Sequence, residues 1–352
     1  MRTYSLFRYV KRTGLFEDST VEQAFPEYLE KSTEFSDSLI YFYHPQKPIV
    51  ICGVHQNVFS EVDMAYLNEH NIDLVRRGSG GGAVYVDPGN LTYVFIDTER
   101  SVQHPDFKKY AQPILQTMQV LGVHAKANGR NDLTVDNKKF SGMSASKIGN
   151  RVSYGGTLMI DVDLQSASRV LKPTKAKLKA KGVQSVHSRV TNIRQFFSPE
   201  YSSISIEQVQ RLILEHVFHT GNIGQIPTYQ LTEADWQQVV ELAHSKYGTK
   251  QWVYAGNDRH DYYRDAYFQG FGTVGIGFSV KDNRVTGAKI YGDFLQTSGD
   301  LETIESAING TRLTFEDLTK AFGGANLSVN LGNIKPSALA KLMVDPARDE
   351  SL

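Results

Sequence analysis

The stretch RRGSGGGAVYVDPGN, Arg76 to Asn90, decides how this sequence is read. Gly78, Gly80, Gly81 and Gly82 leave the main chain bare, and two arginines stand immediately before them. Glycine lets backbone N–H groups come close to a ligand and adopt positive φ. Concave arrangements of such groups bind anions. A P-loop would need Lys-Ser/Thr after the last glycine, but Ala83-Val84 follow. A dinucleotide fingerprint would open a helix, whereas AVYV continues as a strand. The plain alternative is a glycine-rich turn with solvated arginines. Two adjacent arginines cannot both enter a core without partners, because buried unpaired charge is costly. Successive strand side chains point to opposite faces, so one arginine is expected to face a site and the other to make a structural pair. A glycine cradle beside an inward arginine suits a phosphate or a carboxylate.

A second stretch, NDLTVDNKKFSG (Asn131–Gly142), carries Lys138 and Lys139 out of a turn and into a strand. Alternation again sends one of them to solvent; for two lysines alone, a charged hairpin is the simpler reading. Ser141-Gly142 lets the backbone pass close to something. SYGGTLM (Ser153–Met159) adds a further glycine pair and the Thr157 hydroxyl on a neighbouring strand.

The rest of the 352-residue chain fits around these stretches. Hydrophobic content of 40% and charged content of 22% are those of a soluble globular protein. Lys plus Arg and Asp plus Glu both total 38, so net charge gives no reason to expect a nucleic-acid partner. One cysteine, Cys52, excludes an internal disulfide and fits a reducing, cytoplasmic setting. The N-terminus shows no signal-peptide pattern, and no apolar run nears the roughly 20 residues a membrane helix needs. LIYFYH and PIVICG read as strands joined by a turn, and SEVDMAYLNEHN as a helix capped by Ser60. DLVRRG, GAVYV and LTYVFID read as three more strands. A helix is expected over roughly His104–Gly122, kinked or split at Pro113. Hairpins turn at Asp136-Asn137 and Gly149-Asn150. Ser205 with Gln208 and Thr232 with Gly248 delimit two later helices. A connector near 249–260 leads to a strand hairpin and further helices, so the domains are drawn at 1–250 and 251–352.

RRGSGGGAVYVDPGNLTYVF, NDLTVDNKKFSG, GGTLMIDVDL and KLKAKGVQSVHSRVTNI together resemble the lipoate–protein ligase A family in order and spacing over about the first 250 residues. The later segment resembles that family's small accessory domain. The resemblance implies an α+β catalytic domain with a mixed sheet like that of biotin ligases and class II aminoacyl-tRNA synthetases, and a smaller α+β C-terminal domain. It implies activation of lipoate by ATP and Mg²⁺ to lipoyl-AMP. Acyl transfer to a lysine of a carrier follows, either a 2-oxoacid dehydrogenase E2 lipoyl domain or a glycine-cleavage H or H-like protein. Lys139 falls on the family's essential lysine. Arg77, Gly82, Ala83, Val84 and Tyr85 would contact the nucleotide, and Ser79 would line the acyl-adenylate site. Asn90, Gly156 and Thr157 belong to the same implied set. Asn131 and Asp132 would lie near the adenylate, with Asp132 on the metal.

The chemistry fits those residue types. Two unit anions about 4 Å apart repel by about 4 kcal/mol at an effective dielectric near 20, and a lysine between carboxylate and α-phosphate removes much of that. Backbone N–H groups of the Gly80–Ala83 turn would stabilise developing charge without reorganising. Two positions depart from the family pattern, where histidine is usual: here they are Val86 and Gly155. Rival readings are a carrier-to-carrier acyltransferase using a cysteine, for which only Cys52 exists, biotin ligation, and a non-catalytic lipoate- or lipoyl-adenylate-binding protein. His216 and His219 read as ordinary helix residues. The basic run Lys172, Lys175, Lys177, Lys179 and Lys181 reads as a solvated helix face or a surface for phosphates or an acidic carrier.

Overall fold

A computed structural model describes residues 7–11, 18–32, 35, 37–97, 106–129, 131–172, 190–254, 260–294 and 300–345. In chain order its strands are β1 (Phe7–Lys11), β2 (Ser38–Tyr43), β3 (Ile49–Cys52), β4 (Asp73–Arg76), β5 (Val84–Val86), β6 (Asn90–Asp97), β7 (Lys126–Asn128), β8 (Asp132–Val135), β9 (Lys138–Ile148), β10 (Arg151–Met159), β11 (Thr228–Gln230), β12 (Tyr262–Phe268), β13 (Gly272–Lys281) and β14 (Arg284–Gly292). Among the described residues, eight of them form a mixed sheet in the order β11-β1-β2-β6-β10-β9-β8-β7. β1 runs parallel to β2 and β11, and the other pairs are antiparallel. β4-β3-β5 make a small mixed sheet, and β12-β13-β14 an antiparallel one near the C-terminus. The expected α+β class with a smaller α+β C-terminal part is what the chain forms.

Both faces of the large sheet are covered, which explains why every residue of β2 is buried. Alternation places Ile40 and Phe42 in one core with Phe95, Tyr110, Ile114 and Ile213. Leu39 and Tyr41 enter a second core with Phe25, Val94, Val239 and Tyr247. Strand β3 belongs to the small sheet, so the two strands expected as a turn-linked pair part company. The small sheet carries its own layers: Val50 and Cys52 pack with Val58, Leu67 and Tyr85, while Ile49, Ile51, Val75 and Val86 pack with Tyr43.

Local signals act as their chemistry predicts in most places. Asp136 and Asn137 both take positive φ at the β8–β9 turn, as does Gly149 at the next one. Ser205 and Gln208 form a reciprocal capping box on the Ile206–Phe218 helix, and Thr232 caps the Glu233–Leu242 helix. Three readings are corrected. Phe107–Val120 is one helix with Pro113 inside it. SEVDMAYLNEHN is not one helix: it begins inside a short helix, Val58–Glu61, capped by Asn57, and holds a second, Met64–Glu69, capped by Asp63, so Ser60 caps neither. His219 is not a helical residue but the left-handed C-cap of its helix. Lys172 is exposed and pairs with Asp63 at 3.1 Å, while Lys175, Lys177, Lys179 and Lys181 lie outside the described residues, as does most of KLKAKGVQSVHSRVTNI.

A helix that the reading above omits, α1 (Ser19–Lys31), packs on the second face of the large sheet. Asp18 caps it, and Val21, Phe25, Tyr28 and Leu29 give it an apolar face. Gln23, Glu27 and Glu30 recur at i, i+4 and i+7, and all three are buried. Glu27 accepts hydrogen bonds from Lys31, Lys246 and the Tyr247 hydroxyl, each at 2.6 Å. Burial alone would raise its pKa, but those donors hold it down at about 2, against 4.5 for an ordinary glutamate. Its contribution to stability is therefore complete above pH 4.5 and is lost as pH falls through about 2. Glu27→Gln should cost about 2 kcal/mol at pH 7, the scale of a hydrogen-bonded charge. In urea unfolding, the gap to wild type should shrink between pH 5 and pH 2; a gap independent of pH would refute this account of Glu27.

Candidate active site

A cavity of about 950 Å³ opens between the large sheet, α1, the small sheet and the glycine loop. Its floor is one face of β6, β10 and β9. Registers Thr157↔Gly142, Gly155↔Ser144 and Ser153↔Ser146 place these pairs side by side. Arg77, Ser79, Gly82, Ala83, Val84, Tyr85, Asn131, Asp132, Lys139, Gly156 and Thr157 all line it. Asn90 does not: it is fully buried at the start of β6, where its side chain meets the neighbouring strands. The asparagine holds strand ends together and is not a wall of the cavity.

Alternation separates the two arginines, with Arg77 at the cavity and Arg76 buried behind it, but the partners of both are mainly backbone carbonyls. Arg76 is 1% exposed and, among the described residues, pairs with no carboxylate; it donates to the carbonyls of Gly53, Val54, Gln56, Trp252 and Val253. Arg77 reaches the cavity but clips the loop from inside, donating to the carbonyls of Ile51, Gly80 and Gly82 and to Ser79 Oγ. Burial lowers the pKa of both, Arg77 to about 10, which leaves Arg77 charged at neutral pH. The physical reason is local. A loop that turns its N–H groups outward turns carbonyls inward, and guanidinium groups satisfy several carbonyls at once. Gly53 is part of the same arrangement, since a Cβ there would overlap the Gly81 carbonyl and crowd Arg77. Gly81 takes φ of 95°.

Not every N–H of the loop is turned to the cavity. That of Gly81 donates to the Phe294 carbonyl at 3.1 Å, and Gly292 donates to the His55 carbonyl at 2.9 Å. The His55 ring stacks on Phe294 at 4.8 Å. Burial, and then the nearby Arg76, push the His55 pKa down to about 4, so it is neutral at pH 7. These contacts tie the C-terminal part to the loop. Ser79 continues in the other direction: its Oγ lies 3.0 Å from Ser144 Oγ on the floor.

Lys139 completes the site through a distortion of its strand. The β8–β9 ladder pairs Thr134 with Lys139 but Leu133 with Ser141, so the register shifts there. Such a bulge re-aims side chains. Lys139 and Gly142, an odd number of residues apart, would otherwise face opposite ways. Here a Cβ at Gly142 would overlap the Lys139 ammonium and lie 2.6 Å from its Cε. The close approach foreseen for Ser141-Gly142 is therefore that of the chain's own lysine. Its Nζ pairs with Asp132 at 2.7 Å, and both side chains are largely shielded, 22% and 18% exposed. The Asn131 amide donates to the Met143 carbonyl beside them. Gly156 has its own reason: a Cβ there would lie 2.8 Å from Tyr93 Cε2. Gly155 differs, because a Cβ there meets only Val94 Cγ2, at an ordinary 3.7 Å. Val86 lies outside the cavity wall, fully buried in the apolar layer of the small sheet. Of the two positions that depart from the family pattern, Gly155 alone thus changes the cavity wall directly.

The cavity also has a wall that sequence reasoning missed, Glu22, Gln23, Glu27 and Glu30 of α1. The available signal was Asp18 as a cap followed by Val21, Phe25 and Leu29 at helical spacing. Pro26 inside the helix hid it. Cys52 is fully buried in the small-sheet core, and burial pushes its thiol up to about 11. Among the described residues no three metal-ligating side chains cluster, and no helix is long and apolar enough to cross a membrane.

Comparison with known proteins agrees with this geometry. The family model described as the lipoyl protein ligase A/B catalytic domain matches residues 18–218, and that described as the bacterial lipoate protein ligase C-terminus matches residues 257–343. Lipoate–protein ligase 1 of Staphylococcus aureus is 38% identical over 93% of this chain and 97% of its own length. A lipoate–protein ligase of Streptococcus pyogenes is 36% identical over 93% and 95%. Among solved structures, P. falciparum LipL1 in complex with lipoate shares the fold with a TM-score of 0.72 at 20% identity, over 96% of this chain and 99% of that one. A structure from a study of an archaeal lipoylation system, a bipartite lipoate protein ligase and its E2 lipoyl domain from Thermoplasma acidophilum, has a TM-score of 0.59 at 24% identity, over 72% and 98%. The catalytic-domain match over residues 18–218 and relatives 36–38% identical over 93% of the chain establish that this chain belongs to the lipoate–protein ligase family and is an enzyme of the ligase class.

Proposed function

We propose that the chain activates lipoate with ATP and passes the lipoyl group to a lysine of a carrier protein. The observation that carries this reading is the Lys139 ammonium, held over Gly142 by Asp132 on the cavity floor opposite the glycine loop. In the first step a lipoate carboxylate oxygen attacks the α-phosphorus of ATP, the bond to the β-phosphate oxygen breaks, and pyrophosphate leaves. Lys139 stands where it can touch both anions and lower their repulsion. Loop N–H groups supply fixed donors, and Arg77 keeps the loop in shape. In the second step a carrier lysine attacks the acyl carbonyl, AMP leaves with the electron pair of the C–O bond, and the amine loses a proton. No protein nucleophile is required. Cys52 supports no thiol route, because it is buried and protonated at neutral pH.

Mg²⁺ fits the donor set in one way. It binds through one or two carboxylates plus substrate phosphates, and Asp132 is a carboxylate at the cavity wall. Asp132 would hold the ion with the triphosphate, and the ion would share the neutralisation of phosphate charge. The carrier is an E2 lipoyl domain or a glycine-cleavage H or H-like protein, a reading supported by the Thermoplasma lipoylation system, which pairs a ligase with its E2 lipoyl domain. We assign catalysis to residues 1–250 and an accessory role to 251–352, with Arg76 holding Trp252 and Val253 against the first unit. Action in the cytoplasm completes the proposal.

Lys139→Ala should lower lipoate-dependent pyrophosphate release by on the order of a hundredfold or more, the scale seen when a preorganised donor is removed. Near-normal release would sink the assignment. Gly142→Ala should also slow this step, by displacing the ammonium, while the thermal unfolding midpoint stays close to wild type. An unchanged rate would show that the position over Gly142 is irrelevant. Iodoacetamide should leave Cys52 unmodified in the folded enzyme, as read by mass spectrometry, and turnover unchanged. Inactivation in step with alkylation would favour the transferase instead.

A further inference from the structure

The far end of the cavity has a chemistry that an apolar acyl tail does not explain. From Gly142 the floor runs along β9 through Ser144 to Ser146, about 13 Å at roughly 3.3 Å per residue. That is the reach of a medium-chain acid anchored beside Lys139. Ser146 Oγ lies 2.7 Å from Ser153 Oγ on β10 and donates to Glu30 of α1 at 3.2 Å. Glu30 is 5% exposed, yet it lines the cavity. Burial holds its carboxyl up, at about 7, against the opposing bonds from Ser153 and Ser146. The other charged groups near it are Glu27, which reinforces the rise, and Arg151, bound to the carbonyls of Leu29 and Phe35. Gly155 sits on the same face between Ser144 and Ser153, and the space above it is open apart from Val94.

Burying a carboxyl and two hydroxyls against a hydrocarbon tail wastes hydrogen-bonding capacity. A buried polar group discriminates strongly against a ligand that cannot pair with it. We propose that this end of the cavity is a specificity pocket, in which Gly155 gives room and Glu30 with Ser146 and Ser153 recognises a hydrogen-bonding group at the distal end of a medium-chain acyl substrate. This rests on the ligase reading above and adds a substrate class to it: ω-hydroxylated or similarly polar-ended carboxylic acids.

The test measures ATP-dependent pyrophosphate release by the whole enzyme with octanoate, 8-hydroxyoctanoate and lipoate. The expected result is a kcat/KM for 8-hydroxyoctanoate at least tenfold above that for octanoate. Glu30→Met should bring the ratio close to one. Gly155→Ala, whose Cβ would meet only Val94 Cγ2 at 3.7 Å, should raise KM for 8-hydroxyoctanoate without lowering the thermal midpoint. Calorimetric binding of the two acids to wild type gives the same comparison if Glu30→Met does not fold. Turnover of lipoate with no preference for the hydroxylated acid overturns the pocket assignment alone, as does a preference that survives Glu30→Met. Failure of all three acids, lipoate included, overturns the ligase reading and the pocket with it.

Discussion

Lys139 lies in the volume that a side chain at position 142 would occupy. Four local features have to agree for this to happen. The Asp136-Asn137 turn must close β8 onto β9 with both residues at positive φ. The register must slip between Leu133 and Thr134. Residue 142 must be glycine. Asp132, paired across the ladder with Gly142, must supply the counter-charge at 2.7 Å. Each is cheap alone. Together they fix a flexible four-carbon side chain without burying its charge unpaired, which would be prohibitive. Phe140, Met143 and Ala145 fill the core on the opposite face, so the bulge cannot relax without exposing them.

The glycine loop obeys a complementary constraint. A backbone that presents N–H groups to an anion must dispose of its carbonyls, and water is not available to take them inside a fold. Arg77 takes those of Gly80 and Gly82, and Arg76 takes five carbonyls around the small sheet and the Lys250–Val253 helix. The RR pair therefore carries positive charge mainly as scaffolding. The side-chain ammonium on the cavity floor, by contrast, comes from the lysine strand, where Asp132 holds it.

This distinction marks the limit of what the sequence discloses. Turns, caps and the glycine cradle were legible, because positive φ and side-chain capping demand particular residues at fixed offsets. The family pattern brought Lys139 and Asp132 together. Asn90 was misplaced because residues in a motif may serve the strand ends and not the ligand; nothing in its local sequence separates these roles. Partners of Arg76 lie about 176 residues away in sequence at Trp252, and backbone carbonyls carry no sequence signature at all. Alternation separated the exposed Lys138 from Lys139 as expected, but it gave no sign of the bulge, since a register slip depends on the partner strand. Pro26 hid helix α1, and the burial of its polar residues Gln23, Glu27 and Glu30 was hidden as well, because a polar helix face ordinarily meets water and here meets a cavity.

The Gly81 N–H shows how the parts constrain one another. It is one of the donors that the loop has to offer, yet it is committed to the Phe294 carbonyl of the C-terminal part. A single N–H directed at that carbonyl cannot serve a phosphate with the same strength. His55 reinforces the commitment by stacking on Phe294, and its depressed pKa keeps the stack uncharged at neutral pH. The loop thus has two claimants on one face, a bound anion and a neighbouring chain segment. Whichever holds the N–H leaves the other short by one hydrogen bond, of the order of 1 kcal/mol in exchange with water and more in a dry site. A phosphate that took the Gly81 N–H would release the Phe294 carbonyl, so ligand binding and docking of the C-terminal part would be coupled by on the order of 1 kcal/mol.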